Sequence, residues 1–162
     1  MQASEVVHVI DDDEGVREGL CALLDAKGHA ARPHASCEEF LSGFSADSTL
    51  CIVADLRMPG MGGLDLQSHL LKNAIDLPFI VITGHGDVSS AVRALKSGAA
   101  DFIEKPIDGK AFIAAVERAV VARRANRAQS EATHLAHERV AALTPRERDV
   151  LRHLVAGSPN KI

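Results

Sequence analysis

Four short apolar runs, each ended by a polar residue, constrain this chain more than any other feature. Val6, Val7, His8, Val9 and Ile10 lead into Asp11, Asp12 and Asp13, and the run from Leu50 to Ala54 ends at Asp55. Phe79 to Ile82 ends at Thr83, and Asp101 to Glu104 delivers Lys105 ahead of Pro106. Such runs read as strands of a parallel sheet buried on both faces, because a half-solvated sheet would alternate apolar and polar residues. Helical spacing falls roughly at Glu14 to Lys27, Ser36 to Phe44, Leu64 to Lys72, Val88 to Ser97 and from Asp108 onward. The pattern is a strand followed by a helix, five times over. Gly28 and Gly98 read as helix stops, and Gly60, Gly62 and Gly63 as a flexible loop beside Asp55.

Polar residues gathered at the carboxyl ends of parallel strands have a chemical reading, since that edge is where open α/β sheets bind ligands. Clustered carboxylates repel one another unless a cation holds them. An all-oxygen ligand set favours a hard ion, and Mg2+ takes one or two carboxylates while leaving room for a phosphate. Thr83 and Lys105 can then meet phosphoryl oxygens, and Asp55 is left as a nucleophile, carboxylate attack on phosphorus giving an aspartyl phosphate. Any one of these acids alone is equally well explained as a helix cap. Four strand ends that agree are not.

The stretch Asp11-Asp12-Asp13-Glu14 with Val16-Arg17, the stretch Asp55-Leu56-Arg57-Met58-Pro59-Gly60-Met61-Gly62-Gly63, Ile82-Thr83-Gly84-His85-Gly86-Asp87 and Asp101-Phe102-Ile103-Glu104-Lys105-Pro106 together resemble the receiver domain of two-component response regulators. The wording of the last two is most similar to the FixJ branch of the FixJ/NarL-type regulators. The resemblance covers about the first three quarters of the chain. It implies an α/β, flavodoxin-like (CheY-like) fold: a five-stranded doubly wound parallel sheet of order 2-1-3-4-5, here with a helical C-terminal extension. It implies Asp55 as the phosphoacceptor, receiving its phosphoryl group from a sensor histidine kinase. Asp12, Asp55 and the backbone carbonyl of Arg57 would bind Mg2+ directly, Asp11 would act through water, and Asp13 would stand by near the metal. Thr83 would close on the phosphoryl group, Lys105 would pair with it, and Phe102 would occupy the aromatic switch position, its alternative being an ordinary core residue. The family's dimer face, the fourth helix and fifth strand, would fall near Val92, Leu95 and Phe102. A cis peptide at Lys105-Pro106 is also implied.

The rest of the sequence supports a modest signalling role. Its 162 residues leave room for one receiver-sized domain and a tail, and a chain with 3% aromatic residues must build a mainly aliphatic core. No stretch is apolar enough to span a bilayer, so the chain is read as cytoplasmic. Cys21, Cys37 and Cys51 lack metal-ligand spacing and read as reduced thiols. His134 and His137, three apart, have no third ligand nearby in sequence. Residues 1–106 carry 8 basic against 16 acidic residues, whereas residues 107–162 carry 10 against 6. That asymmetry points to an acidic metal-binding head and a tail suited to nucleic acid.

The domain organisation expected is therefore a receiver over 1–124, a helical linker over 125–142 and a further element over 143–162. There, Thr144 as cap, Pro145 and Glu147 form a helix start, Val150, Leu151, Leu154 and Val155 an apolar face, and Gly157 a stop. This resembles the opening of a LuxR/FixJ-type helix-turn-helix, with 157–162 as the start of its second helix. The recognition helix would come next, so these 162 residues are expected to bind duplex DNA through phosphate contacts of Arg146, Arg148, Arg152 and Lys161 without sequence preference. Two other readings stand beside the regulator. One is a haloacid-dehalogenase-like phosphatase, whose nucleophile motif is imitated by Asp11-x-Asp13 with Gly15-Val16. The other is an interaction module that is never phosphorylated.

Overall fold

The computed structural model describes residues 4–84 and 87–157. Five strands, β1 (Val6–Ile10), β2 (Ala31–His34), β3 (Thr49–Asp55), β4 (Phe79–Thr83) and β5 (Asp101–Glu104), form one sheet in the order β2-β1-β3-β4-β5. Every pairing is parallel. The helices are α1 (Glu14–Ala26), α2 (Cys37–Gly43), α3 (Gly63–Lys72), α4 (Val88–Lys96), α5 (Gly109–Ala141) and α6 (Pro145–Val155). The expected sheet order and helix sequence are thus present, with helix ends displaced by a residue or so.

The three inner strands, β1, β3 and β4, bury both faces, and successive residues feed two separate cores. Cys51 and Val53 of β3 pack with Val7, Val9, Leu20, Leu24, Ile80, Ile82, Phe112 and Val116, a core covered by α1 and α5. Ile52 and Ala54, one residue out of phase, pack with Ile10, Phe40, Leu66, Leu70, Phe79 and Val81 beneath α2, α3 and α4. This period of two explains why the runs are continuously apolar. Left-handed glycines follow three of the helices, Gly28 at φ 82°, Gly98 at φ 101° and Gly157 at φ 67°.

The chain divides into two compact units, Met1–Arg124 and Ala125–Ile162. In the second, α6 starts at Thr144, whose hydroxyl accepts the Glu147 N–H at 3.3 Å and donates to the Glu147 carboxylate at 3.0 Å. Arg148, expected to face nucleic acid, instead donates to the carbonyls of Val140 and Ala141 and closes the end of α5. Residues 158–162, which include Lys161 and the start of the second helix-turn-helix helix, lie outside the described residues. No described helix is long and apolar enough to cross a membrane.

His8 was legible only as a strand residue. Its Nδ1 lies 2.9 Å from His34 Nε2, its Nε2 lies 3.2 Å from Thr49 Oγ1, and both rings meet Phe40 edge-on. Two neutral imidazoles can share one N–H between them; two charged ones cannot. Burial, with the His34 and Arg32 charges behind it, lowers the His8 pKa to about 4, and burial likewise lowers that of His34. The unfolded chain therefore binds more protons here than the folded one between about pH 6.5 and 4, so the stability these groups give is full above 6.5 and is lost as pH falls through that window. Chemical denaturation between pH 7 and 5 should show that decline in the wild type, and His8→Asn should flatten it.

Candidate functional site

The carboxyl edge of the sheet brings the expected residues together. Asp11 is fully buried, Asp55 nearly so, and each offers an oxygen, as does the exposed Asp12, within 4.8 Å of the others. Lys105 reaches in from the end of β5, its Nζ 2.7 Å from Asp55 Oδ2 and 3.5 Å from Asp11 Oδ2. The peptide joining it to Pro106 is cis. Thr83 is buried at the end of β4, its hydroxyl donating to the Gly84 carbonyl at 3.0 Å. Phe102 is half-buried, at the margin of the core under α2, α3 and α4.

Burial, together with the neighbouring Asp55 charge, raises the Asp11 pKa, against the Asp13 N–H and the Lys105 charge, which lower it. Burial also works against the charge on Lys105, but the hydrogen bond and charge of Asp55, with Asp11 behind them, outweigh it and hold the ammonium above its usual range. One ammonium facing two buried carboxylates leaves the cluster short of positive charge. Asp11 Oδ2 has no hydrogen-bond partner among the described residues; Lys105 lies within charge-pair distance of it, at 3.5 Å. A buried carboxylate oxygen of this kind is costly unless an ion completes it. Three oxygen donors around an incompletely satisfied acid suit a hard divalent cation.

The loop after β3 is held from several sides. Asp55 Oδ1 accepts the Arg57 N–H at 3.0 Å, which fixes the backbone at Arg57. Glu38, from α2, accepts the Met61 N–H at 3.0 Å, and Asp65 accepts that of Gly62 at 3.2 Å. The Arg57 side chain crosses to Asp87, Nε to Oδ2 at 2.8 Å. The Glu38 and Asp87 contacts join elements distant in sequence, and no local pattern marks them. The glycines are tighter than a flexible loop requires. A Cβ on Gly62 would stand 2.5 Å from the Leu56 carbonyl and one on Gly63 2.7 Å from that of Asp55, both backbone atoms.

Asp13 stands outside the group of three acids. It is the N-cap of α1, its carboxylate accepting the Val16 N–H at 3.1 Å. That commitment occupies the second acid of the phosphatase-like pair Asp11-x-Asp13, and Lys105 makes its shorter contact with Asp55, 2.7 Å against 3.5 Å to Asp11.

The response regulator receiver domain model matches residues 7–117. Over 162 residues the chain is 48% identical to the transcriptional regulatory protein FixJ of Azorhizobium caulinodans, covering 99% of this chain and 76% of that one. It is 44% identical to FixJ of Rhizobium meliloti, covering 96% and 76%. Among solved structures, the response regulator StyR superposes with a TM-score of 0.82 at 37% identity, over 98% of this chain and 80% of that one. The N-terminal part of FixJ gives 0.66 at 48% identity, over 74% and 95%. Replacing Gly63 by Ala should lower stability by about 1–3 kcal/mol, since the methyl group must displace the Asp55 backbone; urea denaturation measures it, and Gly43→Ala, where a Cβ meets nothing within 4 Å, serves as the control.

Proposed function

Because the chain belongs to the family of response regulator receiver domains, and to its FixJ-type transcriptional regulators, we propose that Asp55 is its phosphoacceptor and that Asp11, Asp12, Asp55 and the Arg57 carbonyl hold Mg2+ beside it. Such a protein works in two-component signalling that controls transcription, and it is a switch rather than a turnover enzyme. The observation that carries the site assignment is the 2.7 Å pair between Asp55 and Lys105 above the buried Asp11.

The phosphoryl group leaves a histidine of a partner kinase as an Asp55 oxygen bonds to phosphorus, the P–N bond breaks and the departing imidazole takes up a proton. Charge spreads over the phosphoryl oxygens in the transition state, so catalysis is mostly positioning and electrostatic stabilisation. Bound Mg2+ supplies positive charge to those oxygens. Lys105, already poised on Asp55, supplies the ammonium, and the fixed backbone at Arg57 presents its carbonyl in a set place. Thr83 then turns its hydroxyl from the Gly84 carbonyl to the new acceptor oxygens, and Phe102 moves inward from the core margin. A phosphorylated Asp55 adds charge and acceptors that its neighbours must rearrange to satisfy.

The readout is assembly. Val92 and Leu95 of α4 stand exposed at 39% and 37%, beside the half-buried Phe102 of β5, and phosphorylation joins two copies through this face. Residues 1–124 form the receiver, 125–142 a helical linker and 143–162 the opening of a LuxR-type DNA-binding element, a reading supported by the boundary after Arg124. In that element Arg146 and Arg152 serve phosphate contacts, and base readout belongs to the module's recognition helix.

With Mg2+ and acetyl phosphate, intact-mass spectrometry should find one phosphate per chain, lost in Asp55→Asn. Phosphate retained in Asp55→Asn but lost in Asp11→Asn would contradict the assignment. Lys105→Ala should leave Mg2+ binding largely intact, read by isothermal titration calorimetry, while phosphorylation slows by at least tenfold. Sedimentation velocity should show the phosphodonor raising the dimer fraction, and Leu95→Glu abolishing that rise.

A further inference from the structure

Helix α4 is fastened less by apolar burial than its neighbours are. It buries only Ala91 and Ala94, whereas α5 buries six residues, Phe112 among them, and α3 buries Leu66 and Leu70. Its larger side chains, Val88, Val92 and Leu95, point to solvent. Two polar side chains from elsewhere hold it instead. At its N-terminal end, Asp87 receives the Arg57 guanidinium at 2.8 Å. Toward its C-terminal end, Gln67 of α3 donates from Nε2 to the Ala94 carbonyl at 3.1 Å.

Gln67 is out of place by composition. It occupies the buried stripe of α3 between Leu66 and Leu70, is 4% exposed, and leaves its Oε1 with no hydrogen-bond partner among the described residues. An apolar residue would fill the position without an orphaned carbonyl. The Ala94 carbonyl does not need the bond either, since it already accepts the N–H groups of Ser97 and Ala99 at 3.2 and 3.0 Å. The amide therefore improves neither helix taken alone. What it does is join them, α3 to α4, through one hydrogen bond.

We propose that Gln67 is a tether that holds α4 in its resting seat, acting with the Arg57–Asp87 pair, and that phosphorylation of Asp55 releases it. The coupling runs through the site already described. Arg57 lies two residues from Asp55, and Asp87 stands in the loop that Thr83 leads into. When Thr83 turns from Gly84 toward the phosphoryl group, Asp87, four residues on, is drawn away from Arg57, the ion pair gives way, and α4 leaves the Gln67 amide. The exposed ion pair is weak by itself. It matters because α4 has little else. This mechanism rests on Asp55 being the phosphoacceptor and on α4 presenting the dimer face.

Hydrogen exchange on the whole chain tests it, with beryllium fluoride and Mg2+ as the phosphoryl mimic. In the wild type, the amides of residues 91–97 should exchange at least fivefold faster with the mimic than without it. In Gln67→Met, which keeps the volume and removes the amide, they should already be fast, and the mimic should add less than twofold. Asp87→Ser, which removes the Arg57 ion pair and lies outside both apolar cores, should move the same amides in the same direction. The basal dimer constant of Gln67→Met should tighten by about tenfold while the activated one stays unchanged. Equal increments in wild type and Gln67→Met, or faster exchange spread evenly over α3 and the sheet, would overturn the tether. Should the mimic leave wild-type exchange at 91–97 unchanged, release by phosphorylation is wrong. Should exchange behave as stated while no dimer forms, the dimer face is wrong and the tether stands.

Discussion

Everything at the carboxyl edge of this sheet depends on buried negative charge that the protein does not fully neutralise. Asp11 is fully buried and Asp55 nearly so, and they share one ammonium, Lys105. Taking an ion out of water costs several kcal/mol that only close partners recover. The fold bears that cost by placing both acids at the ends of neighbouring inner strands, β1 and β3, that are buried along their whole length and mostly apolar. The result is a pocket of carboxylate oxygens suited to a hard divalent cation, next to a carboxylate that can attack phosphorus.

The same tension turns a chemical event into a structural one. A phosphoryl group on Asp55 changes the partner needs of Lys105, Thr83 and the Arg57 loop together, and those groups sit on three different strand ends or loops. The two cores beneath them are closely filled and do not deform continuously. The change therefore passes to the element with the least apolar anchoring, α4, whose buried contribution is two methyl groups.

The sequence carried much of this. The strand runs, the glycine stops and the polar strand ends were readable because parallel strands impose continuous apolarity and their ends impose ligand chemistry, and the wording around Asp55, Thr83 and Lys105 pointed to the family. What was not readable is which partner each polar side chain takes, near or far in the chain. Asp13 looked like part of an acidic triplet, yet its carboxylate caps α1. His8 looked like any strand residue, yet it meets His34 and Thr49. Glu38, Asp87 and Gln67 looked like helix or loop polar residues, and each contacts a different element. Arg148 looked like a phosphate contact and instead closes the end of α5.

The claim on which the account turns is that one carboxylate, Asp55, takes the phosphoryl group. Borohydride reduces an aspartyl phosphate to homoserine, releasing phosphate and marking the modified position permanently. Peptide sequencing by mass spectrometry after phosphorylation and reduction reads that position directly. The account requires homoserine at residue 55, dependent on Mg2+ and absent without phosphodonor. Homoserine at residue 11, 12 or 13, or a phosphorylated chain that yields none, would contradict it.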